Sequence, residues 1–136
     1  MKHVLDTDTI IYFLKGDRDI VSRVLSVPPE SLYTTIINYA ELMFGAYNSL
    51  KLKENLSKVK GFLSKIKILG FDEASGETFG KLKATLRKKG LSIADLDLMI
   101  ASICILNDGT LITNNIRDFG KIKELRIENW KTFQTI

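Results

Sequence analysis

The sequence predicts an α/β fold, with a mostly parallel and roughly five-stranded sheet covered by helices, from three observations. Short apolar runs of strand length alternate with longer stretches whose apolar residues recur every three or four positions. Gly, Pro, Asn and Asp mark most of the junctions between them. No internal repeat or low-complexity linker divides the 136 residues, a length suited to one domain with a sizeable core, 1–136.

His3 to Asp6 reads as a short strand. A helix follows from about Thr9 to Lys15, with Thr7 or Asp8 as its cap and Gly16 as its stop. A second helix covers Asp19 to Ser26 and ends before Pro28-Pro29. Ser31 to Thr35 is the next strand, and the helix after it carries Ile37, Ala40, Phe44 and Tyr47 at helical spacing, a stripe expected to face the core. Leu52, Leu56, Val59, Phe62, Leu63 and Ile66 make residues 50–66 amphipathic, with lysines on the other side. Residues 74–89, using Phe79, Leu82 and Leu86, are the expected partner, so that about 50–89 reads as a helical hairpin flanking a strand at Ile66 to Phe71. Asp95 to Asn107 forms a helix, Thr110 to Thr113 a fourth strand after the turn Asn107-Asp108-Gly109, and Leu125 to Trp130 an edge strand.

Composition narrows the class. The longest apolar stretch, Leu98 to Leu106, is about half the ~20 residues a membrane span needs. Met1-Lys2-His3 runs directly into the first strand, so no leader or membrane segment is expected. The single cysteine, Cys104, lies in an apolar helix, suits a reducing cytoplasm and reads as a core residue. Net charge is +4, but lysines cluster at 51, 53, 58, 60, 65 and 67, and again at 81, 83, 88 and 89 beside Arg87. Such faces are either solvated helix surfaces or contacts for a polyanion.

Against this background, four acids interrupt apolar segments: Asp6 after His3-Val4-Leu5, Glu41 within TTIINYAELMFGA, Asp97 within GLSIADLDLMIAS and Asp118 after LITNN. A carboxylate is rarely placed in apolar surroundings without a compensating charge, because its lost hydration costs several kcal/mol or more. In open parallel sheets, ligands bind beyond the carboxyl ends of the strands. Asp6 lies at such an end, Asn114, Asn115 and Asp118 follow the fourth strand, and Glu41 and Asp97 lie near helix starts, so all four reach one crevice. A shared cation is the expected reason. All-oxygen donors without a His or Cys cluster suit Mg²⁺ or Mn²⁺ and disfavour zinc. The only histidine, His3, sits at a strand start and reads as structural. Water activated by the cation is then the expected nucleophile for a phosphoryl displacement.

VLDTDTIIYFL, TTIINYAELMFGA, IADLDLMIAS and LITNNIRDF resemble, in order, the four acidic motifs of the PIN-domain nucleases, particularly the VapC toxins of toxin-antitoxin pairs. The likeness spans nearly the whole chain, including the final LRIENW. By that resemblance Asp6, Glu41 and Asp97 match the catalytic metal-site acids and Asp118 the more variable fourth, with Thr7, Asp8, Thr113 and Asn115 at supporting polar positions. It implies a three-layer α/β/α PIN-like domain, Mg²⁺- or Mn²⁺-dependent endoribonuclease activity on RNA, a cognate VapB-like antitoxin that blocks the crevice, and a homodimer. Asp95 and Asp97, two residues apart on a helix, diverge by about 200°; Asp97 is taken as the site acid because IAS follows it as in the family pattern.

Two other readings compete. VLDTDTII also resembles the first motif of haloacid-dehalogenase-like phosphatases, in which Asp6 would be the nucleophile and Asp8 a general acid. The chain is short for that core plus its cap, and that scheme leaves Glu41 and Asp97 without a role. The other is a catalytically silent RNA-binding PIN domain that keeps the fold and the basic helices.

Overall fold

The computed structural model describes residues 1–131; of the expected 1–136 domain, residues 132–136 lie outside the described residues. Five strands form one sheet: β1 (Lys2–Leu5), β2 (Leu32–Thr35), β3 (Lys67–Leu69), β4 (Gly109–Ile112) and β5 (Arg126–Glu128). Their order is β3-β2-β1-β4-β5, and every pairing is parallel. Strand β4 is buried along its whole length, and it runs in register with the central strand β1 from Lys2 opposite Gly109 to Leu5 opposite Ile112. The turn into β4 depends on two backbone features. Asp108 takes a left-handed φ of 53°, and a Cβ on Gly109 would fall 2.7 Å from a methyl of Val4, so only glycine lets β4 lie this close to β1.

The chain builds outward from β1 to β2 and β3, then returns to β4 and β5. Right-handed crossovers in opposite directions place helices on opposite faces. Helices α1 (Thr7–Leu14), α2 (Arg18–Ser26), α3 (Ile36–Tyr47) and α4 (Leu52–Leu63) contribute to one core with Leu5, Leu32 and Ile112. Helices α5 (Glu73–Lys88), α6 (Asp95–Leu106) and the short α7 (Ile116–Phe119) contribute to the other with Val4 and Leu111. Alternation of Val4 and Leu5 along β1, and of Leu111 and Ile112 along β4, serves the two cores in turn.

Several expectations change. The first helix begins at Thr7, and its N-cap is Asp6, not Thr7 or Asp8: Asp6 keeps extended backbone geometry and its carboxylate accepts the Thr7 N–H. The stripe Ile37, Ala40, Phe44 and Tyr47 does not form the core of α3. Asn38, Leu42 and Ala46 are buried there, while Phe44 is 69% and Tyr47 57% exposed. The apolar residues run nearly all round this helix, so spacing alone did not pick its inner face. Residues 50–89 also do not pack as a hairpin. Val59, Phe62 and Leu63 of α4 join the core that holds Leu42 of α3, whereas Leu82 and Leu86 of α5 join Leu98 and Ala101 of α6 across the sheet. The edge strand expected at Leu125 to Trp130 contracts to Arg126–Glu128. Trp130 is buried against His3, at 5.3 Å between ring centroids, and the His3 Nδ1 lies 3.2 Å from the Ser31 hydroxyl, a structural setting for the sole histidine.

Candidate metal-binding active site

The order of strands reverses between β1 and β4, and in open parallel sheets this switch point opens a crevice beyond the strand ends. Asp6 follows β1 at that point, and Thr113, Asn114 and Asn115 follow β4. Asp6 is 7% exposed and both its carboxylate oxygens accept hydrogen bonds: Oδ1 accepts the Thr7 N–H at 2.9 Å and Asn38 Nδ2 at 2.8 Å, and Oδ2 accepts the Thr113 hydroxyl at 2.7 Å. Burial pushes its pKa up, against the hydrogen bonds from Thr113, Thr7 and Asn38, which favour the charged form.

The other acids surround Asp6 from different elements. Glu41, on the second turn of α3, accepts the Thr7 hydroxyl at 2.7 Å. Asp8, in the first turn of α1, accepts the Asn114 N–H at 3.0 Å, and burial and then the charge of Asp6 raise its pKa to about 6. Asp97, in the first turn of α6, has a pKa also raised to about 6, first by burial and then by repulsion from Asp6, Glu41, Asp118 and Asp8. Those four influences tie the acids from both faces of the sheet into one electrostatic unit. Asp95 points elsewhere, to Lys83 Nζ at 2.8 Å. Asp118 sits at the margin: it takes Asn115 Nδ2 at 3.3 Å and Lys121 Nζ at 3.4 Å, and these groups hold its carboxyl below the ordinary range.

Thr113 and Asn115 act on the acids directly. The Thr113 hydroxyl donates to Asp6 and accepts the Asn115 N–H at 3.0 Å, while the Asn115 side chain accepts the Asp118 N–H and caps α7. One residue of the site escaped the sequence reading: Asn38, fully buried at the centre of these bonds. Its signal was a polar side chain inside the apolar run of TTIINYAE, three residues before Glu41 and so on the same helix face.

Among the described residues, no three His, Cys, Asp or Glu side chains lie close enough together to hold a metal ion directly. Carboxylates that repel one another across a crevice, without direct mutual ligand geometry, fit a hard divalent cation that keeps part of its water shell. The donor set contains no soft ligand, and Asn114 Oδ1, buried without a partner beside the site, adds one more oxygen whose hydrogen-bonding capacity is unmet.

Fold and site together define a PIN domain: the PIN domain family model matches residues 3–125. Ribonuclease VapC2 of Rickettsia felis is 36% identical over 132 residues, covering 96% of this chain and 98% of its own. The tRNA(fMet)-specific endonuclease VapC of Salmonella typhimurium is 32% identical over 130 residues with the same coverage. Among solved structures, DNA-bound VapBC from Salmonella typhimurium superposes with a TM-score of 0.90 at 32% identity, covering 96% of this chain and 99% of that one. VapBC2 from Rickettsia felis, bound to a promoter DNA fragment, superposes with a TM-score of 0.89 at 34% identity, covering 96% and 100%. The chain belongs to the VapC ribonucleases of the PIN-domain family. It is therefore a nuclease, and this membership removes the phosphatase reading of Asp6. PIN-domain ribonucleases depend in general on divalent metal ions.

Proposed function

We propose that the protein is the toxin of a type II toxin-antitoxin pair, a cytoplasmic endoribonuclease of one PIN domain, 1–136, that hydrolyses RNA phosphodiester bonds with Mg²⁺ or Mn²⁺. The observation that carries the site assignment is Asp97, whose carboxyl is raised to about 6 by burial and by Asp6, Glu41 and Asp118. The charge of Asp97 is disfavoured by the acids gathered around it at the switch point, and a divalent cation relieves that repulsion. Asp6, Glu41 and Asp97 would hold the ion, with Asp118 at its margin. The chemistry such an ion supplies is activation of water and neutralisation of charge on the phosphoryl oxygens.

This chain's residues then orient and exclude. Thr7, Asn38 and Thr113 fix the carboxylates of Asp6 and Glu41, and Asp8 and Asn115 hold the loop after β4 in place. Exposed lysines of α4, including Lys53 and Lys60, and Arg87 and Lys88 of α5 offer phosphate contacts on either side of the sheet. A VapB-like antitoxin is the proposed partner, as in the VapBC complexes of the relatives. A groove of about 310 Å³ between α1, α3 and α4, lined by Ile11, Leu14, Glu41, Leu42, Lys58 and Val59, offers it an apolar seat that ends at the site. A homodimer is the proposed assembly. The test is incubation of purified protein with RNA in Mg²⁺, in Mn²⁺ and in EDTA. Cleavage is expected only with metal, and is expected to vanish in Asp6→Asn and Asp97→Asn; unchanged cleavage by both variants would refute the assignment.

A further inference from the structure

The Asn38 side chain makes three directed hydrogen bonds inside the site, with Thr35, Asp6 and Thr7. It is 0% exposed, as is Thr35, so neither side chain touches a substrate. The Thr35 hydroxyl accepts the Asn38 backbone N–H at 3.2 Å and so has its own proton to give to Asn38 Oδ1 at 2.7 Å. That exchange fixes which way the amide faces: oxygen toward Thr35, nitrogen toward the site. The Nδ2 group spends its two protons on Asp6 Oδ1 at 2.8 Å and on Thr7 Oγ1 at 2.9 Å. The Thr7 hydroxyl, having accepted, gives its own proton to Glu41 Oε1 at 2.7 Å.

We propose that Asn38 is a positioning residue for the metal-holding acids: oriented by Thr35, it presets the carboxylates of Asp6 and Glu41 through a one-way chain of hydrogen bonds. Both branches end on carboxylate oxygens, so the chain stabilises the ionised acids and fixes one oxygen of each. Asp6, just after β1, and Glu41, from α3, come from different elements, and Asn38 couples their geometry together with Thr7, which it holds in place. Without it, each acid must find its rotamer when the ion arrives. Partners that orient metal-holding groups typically change metal affinity by about 10- to 100-fold when removed.

The inference rests on the proposed metal site, and its test separates the two. Mn²⁺ is titrated into RNA-free protein, with free Mn²⁺ followed by its electron paramagnetic resonance signal, for wild type, Asn38→Ala, Thr7→Val, Thr7→Ser and Asp6→Asn. Asn38→Ala is expected to raise the half-saturating Mn²⁺ concentration about tenfold or more, and to shift the Mn²⁺ dependence of cleavage to higher concentration by a similar factor. Thr7→Val, which cuts only the Glu41 branch, is expected to raise it several-fold, and Thr7→Ser to restore it. Wild-type Mn²⁺ binding by folded Asn38→Ala overturns the inference. Should Asn38→Ala not fold, wild-type binding by Thr7→Val overturns it instead. Unaltered Mn²⁺ binding and cleavage by Asp6→Asn would bring down the metal-site reading itself.

Discussion

The Thr113 hydroxyl donates to Asp6 Oδ2 at 2.7 Å, a buried bond between residues 107 positions apart. It closes the site across β1 and β4, and it stabilises the charged form of an acid that burial otherwise disfavours. Thr113→Val keeps the shape but leaves Asp6 short of one donor. The expected cost is about 1–2 kcal/mol, since the bond is to a charged group, seen as a fall in melting temperature on the order of 5 °C. Thr113→Ser should recover most of it in the same thermal melts.

Asp97→Asn should reduce metal-dependent cleavage by more than about 100-fold and yet stabilise the metal-free protein, because it removes a charge repelled by Asp6, Glu41 and Asp118. Melts in EDTA near pH 7 should show a rise of a few degrees. Asp95→Asn is the contrast: its exposed pairing with Lys83 is worth little, and both melting temperature and cleavage should stay near wild type. A dead Asp95→Asn and an active Asp97→Asn would reverse the assignment of the two acids.

Stability of the metal-free protein should fall between about pH 4 and pH 6. Asp8 and Asp97 have folded-state values near 6, above the ordinary 3.8, so the unfolded chain releases their protons first and the folded state loses ground as pH rises through that window. Below about pH 4 the opposite holds for Asp17, Asp72 and Asp118, whose values are lowered in the fold and whose contribution disappears on acidification. Melting temperature against pH in EDTA should therefore dip toward neutrality by on the order of 5 °C, and saturating Mn²⁺ should abolish the dip.

The inner face of α3 gives a fourth prediction. Leu42→Ala should cost about 2–4 kcal/mol, as a fully packed leucine does, whereas Phe44→Ala should change stability by less than about 0.5 kcal/mol. Denaturant melts of the two variants distinguish them, and equal losses would restore Phe44 to the core.

The parallel sheet was legible because its strands carry short apolar runs and its turns carry Gly, Pro and Asn-Asp-Gly. The crevice was legible because acids stand out against apolar neighbours, and Asp6, Glu41 and Asp97 do so strongly. The face of α3 was not, since Ile36, Ile37, Phe44 and Tyr47 leave the helix apolar nearly all round, and only tertiary packing selects Asn38, Leu42 and Ala46. The pairing of α4 with α3 was hidden for another reason: it follows from the reversal of strand order, which no local pattern records. Asn38 escaped because a neutral amide in a helix reads as surface until its partners are known.

The switch point also sets when, during synthesis, the site can form. Its acids run from residue 6 to residue 118, and the strand that completes the crevice, β4, ends at Ile112. A chain emerging from the ribosome carries Asp6 and Glu41 early, but has neither Thr113 to hold Asp6 nor Asp97 beside it until most of its length is made. Nascent and truncated copies that stop short of β4 thus lack a complete crevice, and the site is assembled only when synthesis is nearly finished.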